Sequence, residues 1–178
     1  MTTWKLLGAA AAVLGCISAQ AQFIATPSYL ELGMINATVD TSLGKASPSA
    51  IRLVSGFDFH PYMGLEAFFS ASTSDGKATI NNVNGTVKIN NNWGLYLKPK
   101  YDITPQIEVF GRVGFASTNL SASGSLASAD GTNQSGAYGL GVRLKFNKSI
   151  GINVDYMTYM KADKTEVKGA TIGLGYRF

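Results

Sequence analysis

Cysteine and histidine are nearly absent from this chain of 178 residues, which has one of each, Cys16 and His60. Zinc and related metals draw their ligands largely from these two residue types, so a transition-metal centre is not expected. A lone cysteine closes no intramolecular disulfide. The same scarcity bears on catalysis. His60 lies in a turn-like stretch before Pro61, and no second histidine is available as the base that a lipid-hydrolysing nucleophile needs. The expectation is a protein that is not an enzyme, with no catalytic residue, no cofactor and no metal. Charge is also sparse. Asp, Glu, Lys and Arg make up 15% of the chain, against about a quarter in an ordinary soluble domain. Past the N-terminal stretch no apolar run reaches the roughly 18 residues that mark a transmembrane helix. The 20 glycines fall mostly at every second position rather than ahead of a helix, so no phosphate-binding loop is present. The net charge of +4 is spread along the chain, and nucleic acid is not an expected partner.

What the chain does have begins with an export segment. Lys5 supplies a short basic region, Leu6 to Ala19 is uncharged and apolar, and Ala19-Gln20-Ala21 fits the small-x-small cleavage rule. The run is too short to span a membrane. The reading is a signal peptide over 1–21, cleaved after Ala21, and one domain over 22–178. The alternative is a lipoprotein box at Val13-Leu14-Gly15-Cys16 with Cys16 lipidated. Leu14 fits that box poorly, and Ala19-Gln20-Ala21 offers a better site just downstream. With cleavage at Ala21 the mature chain has no thiol.

The rest alternates with a period of two, which places apolar side chains on one face of a strand and polar ones on the other. Eight such stretches can be read. They begin with a weak one at Tyr29–Met34 and continue through Ile51–Phe59, Met63–Ser70, Trp93–Tyr101, Ile107–Phe115, Ala137–Phe146 and Ile150–Met157. The last is Lys168–Phe178. Each is close to the length that crosses an outer membrane at a tilt. Their connections alternate short and long. His60-Pro61-Tyr62, Asp102-Ile103-Thr104-Pro105 and Asn147-Lys148-Ser149 are tight turns. Ala37–Ser49, Ala71–Asn92, Ser117–Ser135 and Met160–Val167 are long. Short turns on one rim and long loops on the other mark a transmembrane barrel, with both termini at the short-turn, periplasmic rim. Phe57, Phe59, Tyr62, Tyr101, Phe146, Tyr176 and Phe178 gather near that rim. Phe69, Trp93, Phe115 and Tyr156 gather near the other, as two interfacial belts require. The predicted fold is an all-β, eight-stranded, antiparallel up-and-down transmembrane barrel.

Two local expectations follow from the long connections. Asn84-Gly85 reads as a two-residue hairpin turn, which requires one shift of phase against the flanking strands, placed at Asp75-Gly76. The Ser/Ala/Gly-rich Ser117–Ser135 stretch reads as mobile surface.

The strands carry a resemblance. Tyr29-Leu-Glu-Leu-Gly33, Pro61-Tyr-Met-Gly-Leu-Glu66, Ile107-Glu-Val-Phe-Gly-Arg-Val-Gly-Phe115, Tyr138-Gly-Leu-Gly-Val-Arg-Leu144 and Ile172-Gly-Leu-Gly-Tyr-Arg-Phe178 resemble the small outer-membrane β-barrel superfamily. That group includes the OmpA transmembrane domain, OmpX and the opacity proteins. The resemblance implies a Gram-negative outer-membrane protein with a structural, adhesive or small-pore role. It also implies that Tyr176 and the terminal Phe178 serve as the signal read by the barrel-assembly machinery.

A barrel of eight strands is just wide enough to be filled by side chains. The polar face supplies Glu31, Asp58, Glu66, Glu108 and Asp155, with Arg52, Lys98, Lys100, Arg112, Arg143, Lys145 and Arg177. Buried charges must be paired, and facing predicts a network in which Glu66 and Glu108 meet Arg112 and Arg143. Such a network either fills the lumen or gates a narrow ion path. The first gives a structural or surface-interaction protein, adhesin-like, with an unidentified extracellular ligand for its loops. The second gives a small diffusion channel. A soluble lipocalin-like barrel would instead need apolar residues inside. Asp163 and Glu166 form at most a weak calcium pair. The better reading is a solvated loop, in which Lys161, Lys164 and Lys168 suit lipopolysaccharide phosphates. Outer-membrane lipid and lipopolysaccharide are the expected surroundings.

Overall fold

The computed structural model describes residues 28–41, 44–74, 76–80, 83–124, 129–162 and 165–178. The segment 1–21, with Lys5, Cys16, Ala19 and Ala21, lies outside the described residues, as do Asp75, Asp163 and Lys164. Among the described residues no helix is long and apolar enough to cross a membrane.

Ten strands form: β1 (Ser28–Thr41), β2 (Gly44–Ala46), β3 (Ser49–His60), β4 (Met63–Ser74), β5 (Gly76–Ile80), β6 (Val83–Thr104), β7 (Ile107–Gly124), β8 (Ala129–Lys145), β9 (Ile150–Ala162) and β10 (Thr165–Arg177). Eight of them are staves. They pair antiparallel in the order β1-β3-β4-β6-β7-β8-β9-β10, and β10 returns to β1 from Tyr29↔Arg177 to Thr41↔Thr165. Closure removes the sheet edge, so every stave has a hydrogen-bonded neighbour on both sides. The short β2 and β5 pair with β1 and β6 beyond the barrel wall.

Alternation decides what faces where. Leu140, Val142 and Leu144 on β8, like Ile172, Leu174 and Tyr176 on β10, project outward and are exposed. Glu66, Lys98 and Arg112 point inward and are 0%, 0% and 1% exposed. An apolar exterior around a charged interior is the reverse of a soluble domain. It suits a wall surrounded by lipid. The aromatic pairs mark the edges of that wall. Tyr62 stacks on Tyr101 with ring centroids 6.1 Å apart, and Tyr176 meets Phe178 edge-on at 5.1 Å. At the other edge Trp93 meets Phe115 edge-on at 6.5 Å.

The tight turns close on polar side chains that replace missing backbone partners. His60 Nδ1 accepts from Tyr62 N at 3.2 Å. Thr104 Oγ1 accepts from Ile107 N at 3.0 Å. Asn147 Oδ1 accepts from Ser149 N at 2.8 Å and from Ile150 N at 2.7 Å. The single histidine is therefore a turn acceptor.

Four sequence expectations change. First, the long connections are largely strand. β7 and β8 stay paired out to Ala122↔Ala129, so most of Ser117–Ser135 is a β-ribbon rather than irregular surface. Likewise β1 runs on to Thr41, β9 runs to Ala162, and β10 begins at Thr165. Above the lipid the outward face meets water, while the inward face stays buried at Thr118, Met160 and Val167. Hydropathy alternation then fades while the backbone ladder continues. Second, Ile80 pairs with Val83, and Gly85 pairs with Ala78 and Gly124. The chain therefore reverses before Asn84-Gly85, which lies within a strand. Third, the phase shift falls at Thr73. Ser49 pairs with Ser74 and Ala50 with Ser72, which leaves Thr73 as the extra residue of a bulge. A second register shift falls at Asn90 on β6, between Ile89↔Leu120 and Asn91↔Asn119. Fourth, the weak first strand is a regular stave of 14 residues. Its upper inward positions are Ile35, Ala37 and Val39. There the inward face turns apolar while Asn36 and Thr38 face outward, so the polar and apolar faces exchange and the alternation is hidden.

Candidate functional site

The inward charges form a knot across the middle of the barrel. Arg112 comes from β7, where Phe110 precedes it on the same inward face. Its Nε donates to Glu66 Oε2 at 2.5 Å and its Nη1 to Asp155 Oδ2 at 2.7 Å. Its Nη2 donates to Glu31 Oε2 at 2.6 Å and to Glu66 Oε1 at 3.2 Å. One guanidinium thus holds carboxylates from β1, β4 and β9. The planar fork of arginine suits this task, because its donors are spread over three nitrogens in a fixed geometry that matches carboxylates, one of them in a two-bond fork.

Two further cations balance the knot. Lys98 Nζ on β6 lies 3.3 Å from Glu31 Oε1, 3.1 Å from Glu66 Oε1 and 3.9 Å from Glu108 Oε1. It also sits over the rings of Tyr29 and Phe110, at 4.7 and 4.5 Å from their centroids. Arg52 on β3 chelates Asp155 through both Nη atoms and donates to Tyr159 Oη at 3.0 Å. Tyr29 Oη donates to Glu66 Oε1 at 2.7 Å. Arg112, Lys98 and Arg52 therefore face Glu31, Glu66 and Asp155 in equal number, with hydrogen bonds to satisfy the remaining lone pairs. Buried charges are tolerated under that condition.

Above the knot the lumen is apolar. Val39, Met157, Met160 and Val167 are buried together, and Phe68 stacks on Tyr96 with centroids 4.6 Å apart. The β9–β10 register skips Tyr159 between Val167↔Met160 and Lys168↔Thr158, and this bulge lets Tyr159 and Met160 both face the lumen. Below the knot, Asp58 receives Arg177 and Lys100, the latter at 2.5 Å.

The network differs in part from the sequence expectation. Glu66 and Arg112 meet. Glu108 and Arg143 are opposite each other in the ladder, yet Glu108 turns to Lys98 and to Lys145, the latter at 3.4 Å. Neighbouring β-carbons do not fix where long side chains end, and the two lysines bring their charge closer. Lys98 is more central than facing alone indicated. Tyr29, Phe110 and Tyr159 were not assigned to the site. The signal for the first two was present in the sequence, since each precedes a charged residue by two positions and so shares its face. Tyr159 shares the face of Asp155 and Met157 by the same alternation, and only the bulge that also turns Met160 inward had no sequence signal. In the last hairpin, Glu166 pairs with Lys168 at 2.8 Å. Among the described residues no group of metal-ligating side chains assembles.

Residues 7–178 match the family described as outer membrane protein beta-barrel domain. The chain belongs to that family. It is an integral barrel of the outer membrane, seated in lipid by its apolar exterior. Solved relatives share the fold. Ail, the attachment invasion locus protein of Yersinia pestis, aligns with a TM-score of 0.64 at 19% identity, over 87% of this chain and 100% of that one. Neisserial surface protein A aligns at 0.63 and 14% identity, over 85% and 97%. OprG of Pseudomonas aeruginosa aligns at 0.55 and 16% identity, over 85% and 96%. At these identities the likeness carries the fold. No curated protein matches the sequence. This outer-membrane barrel keeps its inward charges in one knot and its apolar residues on the wall, so a soluble lipocalin-like barrel is excluded by facing alone.

Proposed function

We propose that this barrel is a non-enzymatic surface-interaction protein with a filled lumen, in which the wall and knot serve as a rigid stand for the membrane-distal sheet. The observation that carries this reading is the reach of the central strands. β6 has 22 residues, β7 has 18 and β8 has 17, whereas a tilted strand crosses a bilayer in roughly 9–11. Val83 to Asn92 of β6 lies beyond the aromatic edge at Trp93, a length of roughly 30 Å along the strand at 3.3 Å per residue. Loops held on such a ribbon suit recognition of an extracellular ligand. The resemblance to Ail, a protein named for attachment and solved with the heparin analogue sucrose octasulfate, supports the same reading.

The proposal includes a leader over 1–21 removed after Ala21, which the intact mass of the purified protein tests. It includes Tyr176 and Phe178 as the outward-facing terminal signal for the barrel-assembly machinery. It also includes contact of Lys161 and Lys168 with lipopolysaccharide phosphates. The functional test displays the chain on a non-adherent Gram-negative host. Adherence to immobilised sulfated polysaccharide and to cultured cell monolayers is counted, with and without residues 76–89 and 120–131 replaced by short Gly/Ser turns. Adherence that disappears in the trimmed variant, with heat-dependent gel migration retained, is expected. Equal adherence of full and trimmed barrels overturns the reading.

A further inference from the structure

Seven of the eight staves contribute to the central knot or its supporting hydrogen bonds. The exception is β8. Its inward cation, Arg143, is 2% exposed, yet its Nε and Nη1 have no hydrogen-bond partner. Opposite it in the β8–β9 ladder stands Asn153, 1% exposed, whose Oδ1 and Nδ2 also lack partners. The two side chains share the space over Gly175. A β-carbon there would come within 2.9 Å of Asn153 Nδ2 and 3.4 Å of Arg143 Nη2. At Gly151 it would come within 2.9 Å of Arg143 Nε. Glycines on β9 and β10 thus clear room around one guanidinium. Leaving donors unmatched in a buried position is unfavourable, and more so on a charged group.

Arg143 also lines a cavity of about 780 Å³ at the short-turn end of the barrel. Lys100, Lys145, Lys148 and Arg177 line it too, with Asp102 and Glu108. Each carboxylate already holds a cation, although Asp58 Oδ1 and Glu108 Oε1 keep no hydrogen-bond partner. Asp58 holds Lys100 and Arg177, while Asp102 and Glu108 both hold Lys145, at 2.5 and 3.4 Å. Five cations therefore face three carboxylates, and the excess lies at Arg143 and Lys148. Converging cations in a partly enclosed mouth raise the local concentration of anions. A guanidinium with unmatched donors on two of its nitrogens can take an oxyanion as a further charge-assisted partner. The cavity is of small-ligand size, larger than a bare oxyanion requires.

We infer that the periplasmic mouth is a phosphate-binding site, with the guanidinium of Arg143 at its floor, Asn153 behind that guanidinium, and Lys148 at its entrance. The phosphate comes either from a free phosphate or small phosphate ester, or from a lipid headgroup at the inner rim.

The experiment uses the refolded 22–178 chain in an uncharged detergent. The four arginine Nε–H signals are followed by NMR, with Arg143 assigned from R143K. Inorganic phosphate is titrated first. Phosphatidylglycerol in nanodiscs, against detergent alone, forms the second arm. A saturable shift of the Arg143 signal with inorganic phosphate supports the site and assigns a free phosphate. A shift seen only on adding the lipid supports the site and assigns a headgroup. K148Q is expected to weaken binding about three-fold and R143Q more than ten-fold. N153D places a carboxylate against Arg143 from within, so it should fold and yet lose phosphate binding. A linear, non-saturating shift, equal for phosphate and chloride, means an adventitious ion only and overturns the inference. So does N153D binding phosphate as tightly as the parent chain.

Discussion

Replacing Arg112 with methionine tests the knot most sharply. Methionine keeps much of the length and apolar stem but removes the guanidinium. Four hydrogen bonds to Glu31, Glu66 and Asp155 are lost at once. Lys98 and Arg52 remain, so two cations face three buried carboxylates. Removing one partner of a buried ion pair costs roughly 3–5 kcal/mol, because the other charge stays desolvated. With a urea dependence of about 2 kcal/mol per molar, a loss of ~4 kcal/mol lowers the unfolding midpoint by about 2 M. The assay is reversible urea unfolding in lipid vesicles, followed through Trp93. The double variant R112M/E66L removes a matching anion and should recover about half of the loss. A midpoint for R112M within about 0.5 M of the parent, or no recovery in the double variant, would refute the reasoning.

Other perturbations probe the wall. At Gly114, a β-carbon would lie 1.9 Å from the carbonyl oxygen of Leu95, so G114A forces the β6 and β7 backbones apart. It should cost about 1–3 kcal/mol, read as a lower midpoint in the same urea assay. Val142 faces outward midway between Tyr138 and Phe146 on β8, so V142R is expected to cost about 2–4 kcal/mol, whereas Y138R near the belt costs about 0–1. In a chain freed of cysteine by leader removal, T132C should react with a membrane-impermeant maleimide on intact cells. S149C should react only after the outer membrane is permeabilised; the opposite pattern would invert the topology.

The barrel was legible because lipid imposes a strict rule on both faces of each stave. Ile172, Leu174 and Tyr176 alternate with Gly173, Gly175 and Arg177, and no helix or soluble strand needs that pattern at that length. The closure of β10 onto β1 was readable for a related reason, since an unpaired edge in lipid is costly. Legibility faded where the constraint does. Above the outer belt β7 and β8 no longer face lipid, and their ladder, which continues to Ala122↔Ala129, left no hydropathy signal. Bulges at Thr73, Asn90 and Tyr159 are backbone events with no residue type to announce them. In the lumen, facing named the charged residues, but chain length and competition among cations chose the partners. Glu108 lies beside Arg143 in the ladder and pairs instead with Lys98 and Lys145. The pairing of Arg112 with three carboxylates needed coordinates, because Glu31, Glu66 and Asp155 come from strands that are not consecutive.

The central claim is that a side-chain knot fills the lumen and leaves function to the surface. Planar-bilayer conductance of the refolded 22–178 chain measures this directly. The account predicts a flat trace for the parent chain at salt and voltage where porins open. Reproducible single-channel steps in the parent, abolished by changing Arg112 or Arg143, would contradict it and assign a gated ion path.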